Sequence, residues 1–361
     1  MKKFVWRVLL FLIPILFAFL YTELLFSTEK GDLLKVGYIA DRYDYDKNKL
    51  FKEEFHRKKF FTSILELNLN KKNKYKILVI GDSFSGQGNF GYTNYLAELN
   101  PDSLLYFDRE LHDNPIQTLF DIANGDILDS LDLQYIVLQT VEREIPNRYI
   151  VDKSKAITID SLSITNDSRK SLVGKSSNQL DKLFSDRMLR FILMNLGYIF
   201  NDNAFFSDTY IVKTKDTLFS VNNNNLLFYF VDLKSLNSNS NHKILEEVNN
   251  QFNILSAKLT KRGIKLIVLI SPDKYGVYYD EIIGKEKYPE PQFFDLFAKF
   301  PKHYLFVNSK ELLEKAIHQK TDIYFYDDTH WSPLASKIIA KEINKQIEED
   351  ELTVTHDNVN F

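Results

Sequence analysis

The sequence predicts an α/β fold, a parallel sheet with helices on both faces, preceded by one apolar helix at the N-terminus. Three observations predict it. Short, nearly continuous apolar runs bounded by turn residues recur at 74–81, 103–108, 133–140, 264–271 and 303–308, as strands buried on both faces require. Segments with helical spacing of apolar residues stand between most of these runs, the alternation of a strand–helix array. The chain of 361 residues is 44% hydrophobic and 26% charged, which is the composition of a protein with a sizeable core and not of a disordered one.

Lys2, Lys3 and Arg7 flank the start of an apolar stretch running from Val8 to Tyr21. Counted from Phe4 to Phe26, the segment is long enough to span a bilayer as a helix. Basic residues before the span and few after it predict an N-terminus inside and the rest of the chain outside. No small-x-small cleavage site stands near Phe26, Ser27 and Thr28, so an uncleaved anchor is expected in preference to a signal peptide. Residues 1–27 are then the anchor. Residues 28–73 are a polar, tyrosine-rich connector with a packing helix over Leu50 to Leu69. Residues 74–350 are the α/β domain, interrupted by an insertion at about 145–241.

Within that domain, the strand from Lys74 to Gly81 runs into a glycine-rich turn and a helix over Tyr92 to Leu99. Ser103 to Asp108 is a second strand, and the spacing of Ile116, Leu119, Phe120 and Ile127 predicts a helix that Gly125 interrupts. Leu133 to Thr140 is a third strand. The insertion reads as a Ser/Asp/Lys-rich stretch (Asp152 to Ser177), a helix carrying Leu183 to Leu196, and a hairpin of Tyr210 to Lys213 with Leu226 to Val231. A helix over Lys243 to Arg262 stops at Gly263, and the strands Ile264 to Ser271 and His303 to Asn308 follow. A helix covers Ser309 to Ala316. The last runs from Ser332 to Ile347 with Pro333 in its first turn, and the tail after Glu348 is expected to fray.

Composition excludes several functions. Net charge is −3 with both signs mixed throughout, so there is no electrostatic footprint for nucleic acid. Cysteine is absent, which removes disulfides, thiol nucleophiles and thiolate-held metals. No His/Asp/Glu spacing for zinc, no calcium loop, no phosphate loop and no dinucleotide fingerprint occurs, so neither metal nor cofactor is expected.

Two short segments carry chemistry. Gly81-Asp82-Ser83 follows the first core strand, so Ser83 stands at its carboxyl end on a turn into a helix. A serine there can present its hydroxyl to a crevice, and amides near Gly86, Gly88 and Gly91 can face a developing oxyanion. Far downstream, Tyr326-Asp327-Asp328-Thr329-His330-Trp331 lies just before the last helix. A histidine there can take the serine proton, and an aspartate two or three residues earlier can orient its other nitrogen. Neither segment is decisive alone; together they point to a serine acyl-transfer apparatus.

GDSFSGQG and DDTHWS resemble the first and last sequence blocks of the SGNH hydrolases, whose flavodoxin-like parallel sheet the strand pattern matches. The tryptophan after histidine resembles the AlgX/AlgJ-like branch, which O-acetylates bacterial surface polysaccharides. In that branch an Asp-x-His-Trp motif supplies acid and base, implying Asp328, His330 and Trp331; the wider superfamily's spacing would take Asp327 as the acid instead. The order of blocks is the ordinary SGNH order, with the serine first. The usual Gly-x-Asn-Asp block is missing, and Gln139-Thr140-Val141-Glu142-Arg143 stands in its place. Arg143 is there either to support the oxyanion or substrate, or as one half of a surface ion pair. A proline-then-lysine turn like that at Pro272 to Lys274 follows a core strand in AlgJ-like proteins, so Lys274 is a second candidate for the site, with a turn of packed tyrosines around Tyr278 as the plainer reading. Trp331 is a candidate platform for a sugar ring. The resemblance implies an O-acyltransferase, with O-acetyl transfer to an exported or cell-envelope polysaccharide. It also implies an acyl donor delivered by a membrane-bound acyltransferase and a location at the cytoplasmic membrane with the α/β domain outside, periplasmic in a Gram-negative cell. An acetyl esterase on similar glycans and a noncatalytic glycan-binding component are the alternatives.

Overall fold

The computed structural model describes residues 2–25, 32–33, 49–160, 196–204, 207–221 and 224–359. The strands of the main sheet and of the insertion are, in chain order, β1 (Thr62–Ser63), β2 (Ile77–Ile80), β3 (Leu104–Phe107), β4 (Tyr135–Val141), β5 (Thr209–Lys213), β6 (Asn225–Tyr229), β7 (Lys265–Ser271) and β8 (Leu305–Val307). Six of them form one sheet in the order β1-β3-β2-β4-β7-β8, with every neighbouring pair parallel. From β3 onward this is the strand order of flavodoxin-like doubly wound sheets. β5 and β6 pair antiparallel, the hairpin expected within the insertion. The Ser/Asp/Lys-rich stretch before it and its following helix lie largely outside the described residues.

Alternation along the strands explains why both faces are covered. Ile77 and Val79 of β2, Val137 of β4 and Ile267 and Leu269 of β7 pack on one side. The helices include, in chain order, α1 (Lys2–Leu25), α2 (Lys49–Phe55), α3 (Tyr92–Leu99), α4 (Pro115–Asn124), α5 (His242–Thr260), α6 (Lys274–Tyr278), α7 (Ser309–Ile317) and α8 (Pro333–Val359). On that first side Tyr95 and Leu96 of α3 and Ala335, Ile339 and Ile343 of α8 close the core. Leu78 and Ile80, Ile136 and Leu138, and Leu266, Val268 and Ile270 face the other way, onto Ile116, Leu119 and Phe120 of α4 and Leu245, Val248 and Phe252 of α5. Each such side chain removed from water contributes about 1.5–3 kcal/mol, so a strand with apolar residues at every position is stable only between two helix layers.

Two expected boundaries move. The packing helix placed over Leu50 to Leu69 stops at Phe55, because the aromatic and β-branched run after it leaves the helix: the Phe60 amide donates to Asn94 Oδ1 at 2.7 Å, and Thr62 and Ser63 join β3 as an edge strand. The tail after Glu348 remains helical to Val359. Asp350 holds it down, accepting from Tyr135 Oη at 2.7 Å and pairing with Lys265 Nζ at 2.6 Å. At the N-terminus a helix forms over Lys2–Leu25, interrupted in composition only by Pro14. Among the described residues no helix is long and apolar enough to cross a membrane; the side chains of α1 are described through Ala18.

Candidate active site

All six parallel strands end at one edge of the sheet, and the loops leaving β2, β3, β4 and β7 converge there, the place where such sheets gather their functional side chains. The loop after β2 is built around Gly81. A Cβ at that position would lie 2.0 Å from Ser85 Oγ and 2.5 Å from Gln139 Oε1, so any other residue would push both side chains aside. Gln139 fastens it. Its Oε1 accepts from the Asp82 amide and from Ser85 Oγ, each at 2.9 Å, while its Nε2 donates to Ser271 Oγ at 2.9 Å. Asp82 closes the other side, accepting from the Phe84 amide (3.1 Å), the Val141 amide (2.8 Å) and Arg148 Nη1 (2.6 Å). Burial opposes its charge, but Arg148 and these donors outweigh burial and hold the carboxyl below its usual range. Ser83 is thereby held half-buried at the sheet edge.

The facing wall is the turn that precedes α8. Tyr324 and Trp331 form a β-bridge, the Phe325 amide donates to the His330 carbonyl at 3.1 Å, and Ser332 Oγ accepts the Leu334 amide at 3.1 Å at the start of the helix. Lys274, at the start of α6, enters this turn from behind. Its buried ammonium donates to the carbonyls of Phe325 (2.8 Å), Tyr326 (2.7 Å) and Asp328 (3.3 Å), three donors on three acceptors. Burial pulls its pKa down from 10.5 to about 7 against the pull of Asp327 and Asp328. Gln87 of the serine loop donates to the Trp331 carbonyl at 2.9 Å and ties the two walls together.

Between the walls stands His330. Its Nε2 lies 2.7 Å from Ser83 Oγ and its Nδ1 2.6 Å from Asp328 Oδ1. An ionised carboxylate only accepts, so the ring proton belongs on Nδ1 and Nε2 is left to accept from the serine hydroxyl. Burial works against the imidazolium. The charge and hydrogen bond of Asp328, with Asp32 behind, overcome it and raise the His330 pKa above 6.5. Asp328 is likewise buried, yet the charge and hydrogen bonds of His330 hold it at about 2. The arrangement can deprotonate Ser83 as it attacks an acyl carbon and return the proton to whichever oxygen leaves.

The space in front of Ser83 is a cavity of about 180 Å³ lined by Asp82, Arg109, His112, Arg143 and Arg148 among others. Arg148 is paired with Asp82, and Arg143 with Asp273 (2.8 Å) and Asp232 (3.5 Å). Arg109 carries no ion pair among the described residues. Burial, reinforced by Arg148, lowers the His112 pKa to about 4, so its ring is neutral. Beneath Arg143 sit Glu142, Asp232 and Asp273, all buried. Burial and then Asp273 push Glu142 and Asp232 well up, so the group is not a triple anion. Asp32, Asp328 and His330 offer ligand atoms within 4.8 Å of one another, the described set that could hold a metal ion. A cation there would displace the proton from Nδ1.

Residues 227–360 match the model of a family described as the SGNH hydrolase-like domain of the acetyltransferase AlgX. This likeness covers only the C-terminal part of the chain. The matched AlgX-like region carries Lys274, Asp327, Asp328, His330 and Trp331, whereas Ser83, Gly88 and Arg143 lie before it. Comparisons with curated proteins and with solved structures find no match.

Of the residues singled out in the sequence, Ser83, Asp328 and His330 come together and Arg143 lines their cavity. Arg143 is no surface pair; its guanidinium is buried between two aspartates, which raise its pKa. Asp327 does not meet His330: it is buried, and its carbonyl accepts the Leu33 amide at 3.1 Å. Gly88 adopts φ +65 in a short 3₁₀ turn and is not among the residues lining the cavity. Lys274 is not a substrate residue but the brace of the His330 turn, and Tyr278 is buried with it. Trp331 is not a sugar platform. It is fully buried, edge-on to Phe84 (4.8 Å between ring centres) and Tyr92 (6.1 Å). The sequence reading missed Gln139, Arg148, Arg109, His112 and Asp32. The first two have no local signature, since their partners are 57 and 66 residues away. The other two loop residues stand on the turn after β3, where the carboxyl-end rule alone would have pointed.

Proposed function

We propose that the chain is an O-acyltransferase that moves acetyl groups onto a cell-envelope or exported polysaccharide through an acyl-enzyme on Ser83. The observation that carries this reading is His330, held between Ser83 Oγ at 2.7 Å and Asp328 at 2.6 Å beside a polar cavity. His330 takes the hydroxyl proton as Ser83 attacks the donor's acyl carbonyl, then gives it to the departing oxygen. A sugar hydroxyl next enters the same cavity, loses its proton to His330 and takes the acyl group, which frees Ser83. Asp328 keeps the ring in the working tautomer and offsets the imidazolium charge in both halves. Arg109, Arg143 and Arg148 line the cavity, and in this reading Arg143 and Arg109 meet the tetrahedral oxyanion or the acceptor while Arg148 stays paired with Asp82. The AlgX-like match supports the acetyl-transfer class and a polysaccharide acceptor.

The reading includes an anchor. It rests on the apolar run from Val8 to Tyr21 in the sequence and on the length of helix α1, whose 24 residues extend about 36 Å at the usual rise, although its described residues alone do not make a membrane-crossing span. Its described side chains leave Phe4, Trp6, Leu10, Phe11 and Phe17 more than 60% exposed, an apolar surface that lipid would cover. Lys2, Lys3 and Arg7 orient it with the α/β domain outside. An acyl donor supplied from the membrane by a membrane-bound acyltransferase fits such a location. The chain from Leu25 to Asp32 reaches at most about 25 Å when fully extended, and Asp32 is at the site, so the anchor keeps the cavity close to the membrane surface.

The test is a small acetyl ester offered with and without oligosaccharides from the producing cell's envelope. Transfer predicts that the right oligosaccharide diverts product from free acetate to acetylated sugar. Undiminished acetate release with every glycan, together with efficient stripping of acetylated ones, would establish an esterase.

A further inference from the structure

Asp32 belongs to neither the α/β domain nor the AlgX-like region, yet it sits on the turn that holds His330. Its Oδ1 accepts the Thr329 amide at 2.7 Å and its Oδ2 accepts Thr329 Oγ1 at 2.5 Å. Its own amide donates to Asp328 Oδ2 at 3.4 Å, on the oxygen that His330 does not use. Oδ2 lies 3.9 Å from His330 Nδ1. The next residue continues the docking: the Leu33 amide donates to the Asp327 carbonyl at 3.1 Å, its carbonyl accepts Thr209 Oγ1 at 2.8 Å, and its side chain is buried. Two consecutive connector residues therefore clamp three consecutive residues of the turn.

We propose that Asp32 is a positioning residue for the Ser83–His330–Asp328 relay, supplied from outside the α/β domain by the segment that follows the N-terminal helix. It acts through two neighbours. By satisfying both donors of Thr329 it fixes the peptide between Asp328 and His330. By donating to the second oxygen of Asp328 it aims the first at Nδ1. It also places a second negative charge near the imidazolium. Burial and the repulsion of Asp328 disfavour that charge, while His330 and the Thr329 donors favour it; the outcome is a carboxyl raised above its usual range. The groups facing His330 are thus Asp328 on its own turn, Asp32 on the connector, and Arg143 on the loop after β4, with Asp327 and Lys274 behind the turn. Arg143 reaches the same network, its Nη2 standing 3.5 Å from Thr329 Oγ1. The consequence is that the domain alone lacks part of its active-site support, and the tether supplies it.

The inference rests on the serine reading above, and the experiment separates the two. The full chain is compared with Asp32→Asn, Asp32→Ala and Thr329→Val for acetyl-ester turnover, for labelling of Ser83 by a fluorophosphonate, and for thermal midpoint. Asp32→Asn is expected to lower kcat by about tenfold or more, the scale of a small misplacement at a reacting group, with KM for the ester unchanged and the thermal midpoint close to that of the parent. Loss of the Asp32 charge is also expected to move the acid limb of the pH profile to lower pH, because that charge helps hold a proton on His330. A double change of Asp32→Asn with Thr329→Val should cost less than the sum of the two, since they share a hydrogen bond. If Asp32→Asn keeps parental kcat and the parental acid limb, or loses activity only in step with loss of folded protein, the inference is overturned. If the parent chain itself is not labelled at Ser83, it is the serine reading that fails.

Discussion

Asp328→Asn is the change whose cost can be worked from the structure. Asp328 Oδ1 stands 2.6 Å from His330 Nδ1, and both side chains are about four-fifths buried. During reaction His330 becomes an imidazolium beside this carboxylate. Two unit charges roughly 4 Å apart interact by about 4 kcal/mol at an effective dielectric near 20. At about 1.4 kcal/mol per tenfold in rate, loss of the charge alone is worth about three decades in kcat. The amide can also present N–H to Nδ1, which forces the proton to Nε2 and blocks acceptance from Ser83, so the loss extends toward about 10⁴. Asp32 keeps a carboxylate 3.9 Å from the same nitrogen and limits the fall. The assay is steady-state hydrolysis of an acetyl ester, with Asp327→Asn measured alongside. Asp327→Asn leaves the His330 contact in place and is expected to act through stability. A loss under about tenfold in Asp328→Asn, or a larger kcat loss in Asp327→Asn, would refute the assignment of the acid.

Other outcomes follow from the same geometry. His330 must be neutral to take the serine proton, and its folded pKa is raised, so ester turnover should rise with pH with a half-maximum above 6.5; a half-maximum below that value contradicts the ion pair. Lys274→Met takes away the ammonium that the carbonyls of Phe325, Tyr326 and Asp328 accept from. At about 1–3 kcal/mol for each unsatisfied buried group, both thermal midpoint and kcat should fall, and an unchanged midpoint would refute its bracing role. Trp331→Ala should cost about 3–5 kcal/mol in unfolding free energy, as other emptied aromatic sites do; a stable variant with raised KM for a sugar acceptor would instead return the ring to the substrate.

How much of this was legible depends on whether a residue's partner was local. The strands were read from uninterrupted apolar runs, and helix α5 from its spacing, because both patterns arise from burial within a few residues. Ser83 and His330 were legible because the ends of parallel strands gather at one edge, so two distant segments could be assigned one neighbourhood. Trp331 misled for a geometric reason. The bridge of Trp331 to Tyr324 and the packing of its ring against Phe84 and Tyr92 carry it into the core, while His330 beside it on the turn meets Ser83. Lys274 was found as a residue of interest, but the carbonyls it serves lie 51 to 54 residues on, and only the fold shows that an ammonium is capping a turn. Asp32 is a lone aspartate in a polar stretch, and nothing in its local sequence marks its partner 297 residues away.

The account turns on an acyl group residing on Ser83. The direct measurement is mass spectrometry of the Ser83-containing peptide from full-length protein quenched during turnover of an acetyl donor, beside Ser83→Ala treated identically. The account predicts one acetyl group on Ser83 in the parent chain, its loss on adding an acceptor glycan, and neither acetylation nor turnover in the variant. Turnover that persists in Ser83→Ala, or an acetyl group found on another residue while Ser83 stays free, would contradict it.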